Sequence, residues 1–174
     1  MSCSMNCAYT TGGVGMSVFR IGMLVLATSF VSVAGPASAQ TPASQLESEF
    51  LLELLLDVDP QIDAGHTRIA PVTGGTFSGP GIRGTVHPGG ADWITQVSGH
   101  SSLDVRITLE TDDGALIYMT YTGVVRSGDG GLYWRVRPVF NTASEKYDWL
   151  NHIVAVGKNK QVQGKVAYDV FRIL

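Results

Sequence analysis

The chain has 174 residues, 44% of them hydrophobic and 16% charged, with a net charge of −3. That acidic balance, with no cluster of Lys or Arg, gives nucleic-acid binding little support. The only cysteines, Cys3 and Cys7, stand near the start, so the remainder carries neither a disulfide nor thiol chemistry.

In chain order, the first feature is an uncharged apolar run from Ile21 to Ala34, preceded by Arg20 and broken by Gly35-Pro36. Ala37-Ser38-Ala39 follows, a small-x-small pattern that signal peptidase accepts. The run is shorter than the ~20 residues a bilayer-spanning helix needs, so it reads as a cleavable secretory leader and not a stable membrane anchor. A buried core helix is the alternative, and the missing polar face at helical spacing counts against it. Met1 to Gly15 has no core-forming pattern, and Met16 would give a tidier leader. Residues 1–39 are therefore an extension plus leader, 40–49 a tether, and 50–174 one domain large enough for a real core. The domain is expected outside the cytoplasm, periplasmic or secreted, after cleavage near Ala39.

Beyond the tether, runs rich in Val, Ile, Leu, Thr and aromatics alternate with Gly, Pro, Asn and Asp signals. Phe50 to Val58 is the first; its Leu-rich core would also suit a helix, but the β-rich remainder favours a strand. Arg68 to Val72 and Gly81 to His87 follow, around the glycine-dense Gly74-Gly75-Thr76-Phe77-Ser78-Gly79-Pro80. Leu103 to Thr111 alternates most cleanly, with Leu103, Val105, Ile107 and Leu109 on one face and Asp104, Arg106, Thr108 and Glu110 on the other. Asp112-Asp113-Gly114 makes a hairpin into Ala115 to Val125, and Ser127 to Gly131 turns into Leu132 to Phe140. Tyr147 to Val156 and Gln163 to Ile173 finish the chain, split by the polar Gly157-Lys158-Asn159-Lys160. This predicts an all-β fold, a single antiparallel β-barrel of about eight strands, with Gly84 and Gly123 marking bends that curl the sheet.

The block Gly74 to Pro80, then Gly84, then Pro88-Gly89-Gly90-Ala91-Asp92-Trp93, resembles the domain of unknown function 3237 family, also called uncharacterised protein family 0311. Leu103-Asp104-Val105-Arg106, Thr111 to Ile117 and Tyr147-Asp148-Trp149-Leu150-Asn151 resemble it too, in the same order, so the likeness covers roughly Phe50 to Leu174. The resemblance implies a barrel of the calycin or allene-oxide-cyclase-like kind. It implies no general activity and brings no agreed catalytic residues. The leader is a departure from the family pattern.

The Pro88 to Trp93 loop is the leading candidate site, since its glycines admit close backbone approach and place Asp92 beside Trp93. An aspartate against apolar surface has its charged form disfavoured, which suits acid–base work. Equally, Asp92 could cap a turn while Trp93 packs in the core. Arg106 or Arg135 is the candidate oxyanion partner, Trp93 and Tyr121 are candidate walls, and Tyr133 could orient a phenol or carbonyl. If their strand faces meet solvent instead, they are ordinary surface, and for Asp104 to Glu110 frequency favours that reading. Trp149 and Asn151 are further candidate ligand contacts, or a core Trp and a turn-satisfying Asn.

The four histidines, His66, His87, His100 and His152, have no metal-ligand spacing, and no nucleophile elbow, phosphate loop or dinucleotide fingerprint occurs. No cofactor is therefore expected. The leading reading is a barrel whose mouth binds a small, partly apolar organic molecule, with cofactor-free lyase, isomerase, cyclase or lactone-opening chemistry. A non-catalytic periplasmic carrier and a structural barrel with a packed interior, in either case open to homo-oligomerisation, are the alternatives.

Overall fold

The computed structural model describes residues 44–174; the leader expected over Arg20 to Ala39 lies outside the described residues. Its strands are β1 (Ser48–Val58), β2 (Ile62–Ala64), β3 (Thr67–Gly79), β4 (Ile82–Val86), β5 (Gly90–Val97), β6 (His100–Thr111), β7 (Leu116–Gly128), β8 (Gly131–Asn141), β9 (Ala155–Val162) and β10 (Lys165–Ile173). A 3-10 helix, Glu145–His152, follows β8. All pairings are antiparallel, and β1 bonds both β10 and β3, which joins the ends of the sheet into a closed barrel. β4 and β5 run end to end between β3 and β6, and β2 is a short flap on β3, leaving eight strand positions in the wall. Closure removes the exposed strand edges that an open sheet would carry.

Period-2 alternation fills the interior. Leu52, Leu54 and Leu56 of β1, Leu103 to Leu109 in alternation on β6, and Ile117, Met119 and Tyr121 of β7 are each at most 3% exposed. Each such side chain contributes roughly 1.5–3 kcal/mol by leaving water. Asp104, Arg106, Thr108 and Glu110 take the outer face of β6, where Arg106 donates to Asp104 at 3.2 Å.

Four local expectations are corrected. The glycine block Gly74 to Pro80 belongs largely to β3, not to a loop: β3 runs against β1 so closely that a Cβ at Gly75 would overlap the Leu55 carbonyl oxygen, and one at Gly79 that of Leu51. The Pro88 to Trp93 segment is a short turn, with Gly89 at φ 102°, that leads into β5; Asp92 and Trp93 are strand residues and so face opposite sides of the wall. Tyr147 to His152 is helical, because Tyr147 and Leu150, three residues apart, are its buried side chains. Polar Gly157 to Lys160 lies within β9, with the turn displaced to Gly164; Lys160 reaches outward to Glu53 and Asp169.

The 3-10 helix packs Tyr147 and Leu150 into the core at the end where β6 turns into β7. Asp113 of that turn anchors it, accepting from Thr111 Oγ1 (2.5 Å), Tyr147 OH (3.1 Å) and Lys146 Nζ (2.6 Å). These donors hold the Asp113 carboxyl down to about 2. The opposite end of the barrel opens into a pocket.

Candidate functional site

That pocket has a volume of about 490 Å³ and a mainly apolar lining that includes Leu56, Val72, Ile94, Leu103 and Val125. Asp92 projects into it from β5, Tyr121 from β7 and Trp134 from β8. Alternation explains this convergence: Asp92 is in register with inward Val105, so the pleat turns its carboxyl into the barrel. Tyr168 of β10 is 1% exposed and packs edge-on to the rings of Tyr121 (5.6 Å) and Trp134 (5.9 Å).

Three buried polar atoms there have no hydrogen-bond partner: Asp92 Oδ1, Trp134 Nε1 and the Tyr168 hydroxyl. Unsatisfied buried polar groups cost free energy, and their concentration at one place suits a ligand that supplies the partners. Burial pushes the Asp92 carboxyl from 3.8 up to about 7; the backbone N–H of Asp104 opposes this and the Asp104 charge adds to it. Tyr121 and Tyr168 are both pushed above the ordinary phenol value, first by burial. The Asp92 charge raises both phenols further. The site therefore offers a carboxyl that changes protonation near neutrality and the Tyr121 phenol, which stays protonated, with Tyr168 packed behind the pocket wall.

Of the residues expected from sequence, the structure brings Asp92 and Tyr121 together. Trp93 points outward, under the Arg106 guanidinium at 5.3 Å, so neither Trp93 nor Arg106 lines the pocket that holds Asp92. Arg135 and Tyr133 occupy an outer groove, because the β8 alternation turns Trp134 inward and its neighbours outward. Trp149 and Asn151 lie in the 3-10 helix at the far end; Asn151 exchanges two hydrogen bonds with the Thr142 backbone, both 2.9 Å. Trp134 and Tyr168 were not singled out from sequence, although their apolar rows, Trp134 with Val136 and Val166 with Val170, carried the signal. Arg68 at the mouth was also missed; among the described residues it pairs with no carboxylate. Among the same residues no three His, Cys, Asp or Glu side chains converge as a metal site.

The family model described as a protein of unknown function, DUF3237, matches residues 45–173. This chain belongs to the DUF3237 family. A UPF0311 protein of Rhodopseudomonas palustris is 33% identical over 129 residues, covering 66% of this chain and 84% of that protein. A Penicillium herquei protein named hydroalkoxylation enzyme phnH is 33% identical over 114 residues, 63% of this chain and 71% of that protein. The crystal structure of a beta-barrel like protein from Acinetobacter baumannii AYE superposes with a TM-score of 0.71 at 32% identity, over 78% of this chain and 100% of that one. The DUF3237 match spans every strand of the barrel, and so includes the whole pocket.

Proposed function

We propose that the barrel binds a small, largely apolar organic molecule in the Asp92 pocket and catalyses a cofactor-free proton-transfer reaction on it. The carrying observation is the Asp92 carboxyl, with Oδ1 buried and unpartnered in an apolar pocket and its pKa near 7. A general acid or base works best when its pKa lies near the operating pH. The pocket volume, about 490 Å³, falls in the range of small-molecule sites and weighs against a fully packed interior.

Similarity to a protein named as a hydroalkoxylation enzyme supports one form of this chemistry, the addition of an O–H group across a carbon–carbon double bond. In that form, protonated Asp92 donates its proton to one alkene carbon. The substrate hydroxyl oxygen bonds to the other carbon, and the Asp92 carboxylate recovers the hydroxyl proton. Atoms balance, and the acid returns to its starting state. Tyr121 and Trp134 line the same pocket, and an aromatic face turned to the substrate would stabilise the transient positive charge.

A non-catalytic carrier needs the same pocket but no titrating group. Native mass spectrometry of the purified barrel identifies a retained ligand, and turnover of that ligand is then compared in wild type and Asp92→Asn. Turnover lost by at least about 100-fold with binding retained is expected for an acid–base role. A folded Asp92→Asn protein with full turnover, or a ligand that is never converted, would overturn it.

A further inference from the structure

On the outer wall, strands β6 to β9 border a second, open concavity of about 670 Å³, on the other side of the sheet from the Asp92 pocket. Arg126, Arg135 and Arg137 line it, with Tyr133 among them and Val124 and Val156 as apolar walls. The guanidiniums of Arg126 and Arg135 both lie over the Tyr133 ring, at 4.8 and 4.9 Å, and Arg137 donates to Thr122 Oγ1 at 3.5 Å. Among the described residues, none of the three arginines forms an ion pair with a carboxylate. Lys158 stands in register beside Arg135 at the border of the groove, with Asp169 opposite it on β10. Of the acids on the flanking strands, Asp104 pairs with Arg106, and Asp169, in register with Lys158, pairs with Lys160.

Arginines gathered without paired carboxylates in a protein with an acidic excess make a local positive field that attracts an anion from outside. We infer that this groove is a binding site for an organic dicarboxylate with an apolar body. Arginine forks match carboxylates in pairs, and Arg135 and Arg137 project from the same strand face two residues apart, a spacing suited to two carboxylates on one small molecule. Stacking on Tyr133 holds two of the guanidiniums ready, so less side-chain freedom is lost on binding. The valine walls favour an organic ligand over a bare inorganic ion, and the groove's compact volume fits a small molecule.

The test uses phthalate, benzoate and inorganic phosphate as probes, followed by backbone amide shifts of the whole barrel. Phthalate is expected to saturate, with shifts confined to β7, β8 and β9, and to bind more tightly than benzoate or phosphate. The double variant Arg135→Gln/Arg137→Gln is expected to weaken phthalate by at least about tenfold, while Arg135→Lys weakens it less. All three side chains point outward, so circular dichroism checks that the variants keep the fold. The dicarboxylate site is ruled out by no saturable shifts with phthalate, by shifts that map to the Asp92 pocket, or by unchanged affinity in the double variant. Phosphate binding as tightly as phthalate would also overturn it, since the groove would then be a generic anion patch.

Discussion

Asp92 and Arg106 sit on neighbouring strands of the same sheet and face opposite sides of it. Asp92 is in register with Val105, which points inward, while Arg106, one residue on, lies outside against Trp93 and Asp104. A catalytic pair that looks natural in sequence is separated by the barrel wall.

Arg106→Gln should therefore leave ligand binding in the pocket unchanged. It removes an ion pair whose partners are each about half exposed, so the stability change should stay within about 0.5 kcal/mol. Thermal denaturation and ligand titration of the variant check both points. A large loss of binding would show that the outer face communicates with the pocket.

The raised Asp92 pKa has a signed consequence for stability. Between 3.8 and about 7 the folded protein holds a proton that the unfolded chain has released. Stability must therefore fall as pH rises through that window, and level off above it. Relative to Asp92→Asn, wild type should lose on the order of 2 kcal/mol between pH 4 and pH 8, after allowance for solvent at the pocket mouth. Denaturant melts of both proteins across that range measure the difference. A parallel pair of curves would place the carboxyl at its ordinary value.

Gly79→Ala should destabilise the barrel more than any surface change, on the order of 2–4 kcal/mol. The added methyl would overlap the Leu51 carbonyl oxygen and the β1 backbone beside it, neither of which is a flexible side-chain end that can move aside. Gly128→Ala is the control, because nothing lies within 4 Å of a Cβ there. Guanidinium midpoints of the two variants give the comparison, and equal midpoints would contradict the close crossing.

Tyr168→Phe should be neutral or slightly stabilising in the ligand-free protein. The hydroxyl it removes is buried without a partner, so its desolvation is unrewarded. Melting temperatures test this, and a marked fall would reveal a hydrogen bond, through water or ligand, that the hydroxyl normally makes.

Asp113→Ala should loosen the 3-10 helix without unfolding the wall, since it removes the acceptor shared by Thr111, Lys146 and Tyr147. Its pKa near 2 means that this anchoring is present above the usual carboxylate value and is lost as pH falls from about 4 through about 2. Hydrogen exchange over Glu145–His152 reads it directly; unchanged protection would assign the helix's position to Tyr147 and Leu150 packing alone.

The sequence by itself determined the antiparallel barrel, its count of about eight strands and the two alternating rows of β6. Alternation and turn chemistry are local, and hydrophobic residues at every second position admit one buried face. It also marked Asp92 as a candidate acid. It could not say which polar rows meet across the wall, because a one-residue shift in register exchanges inside for outside. That decided against Arg106, Arg135 and Trp93 as neighbours of Asp92, and for Trp134 and Tyr168. Helical Tyr147 to His152 was equally hidden, since its form depends on packing Tyr147 and Leu150 into the far end of a barrel already closed. Only closure of the sheet, by the pairing of β1 with β3, turned an exposed row of apolar residues into a pocket with an aspartate in its wall.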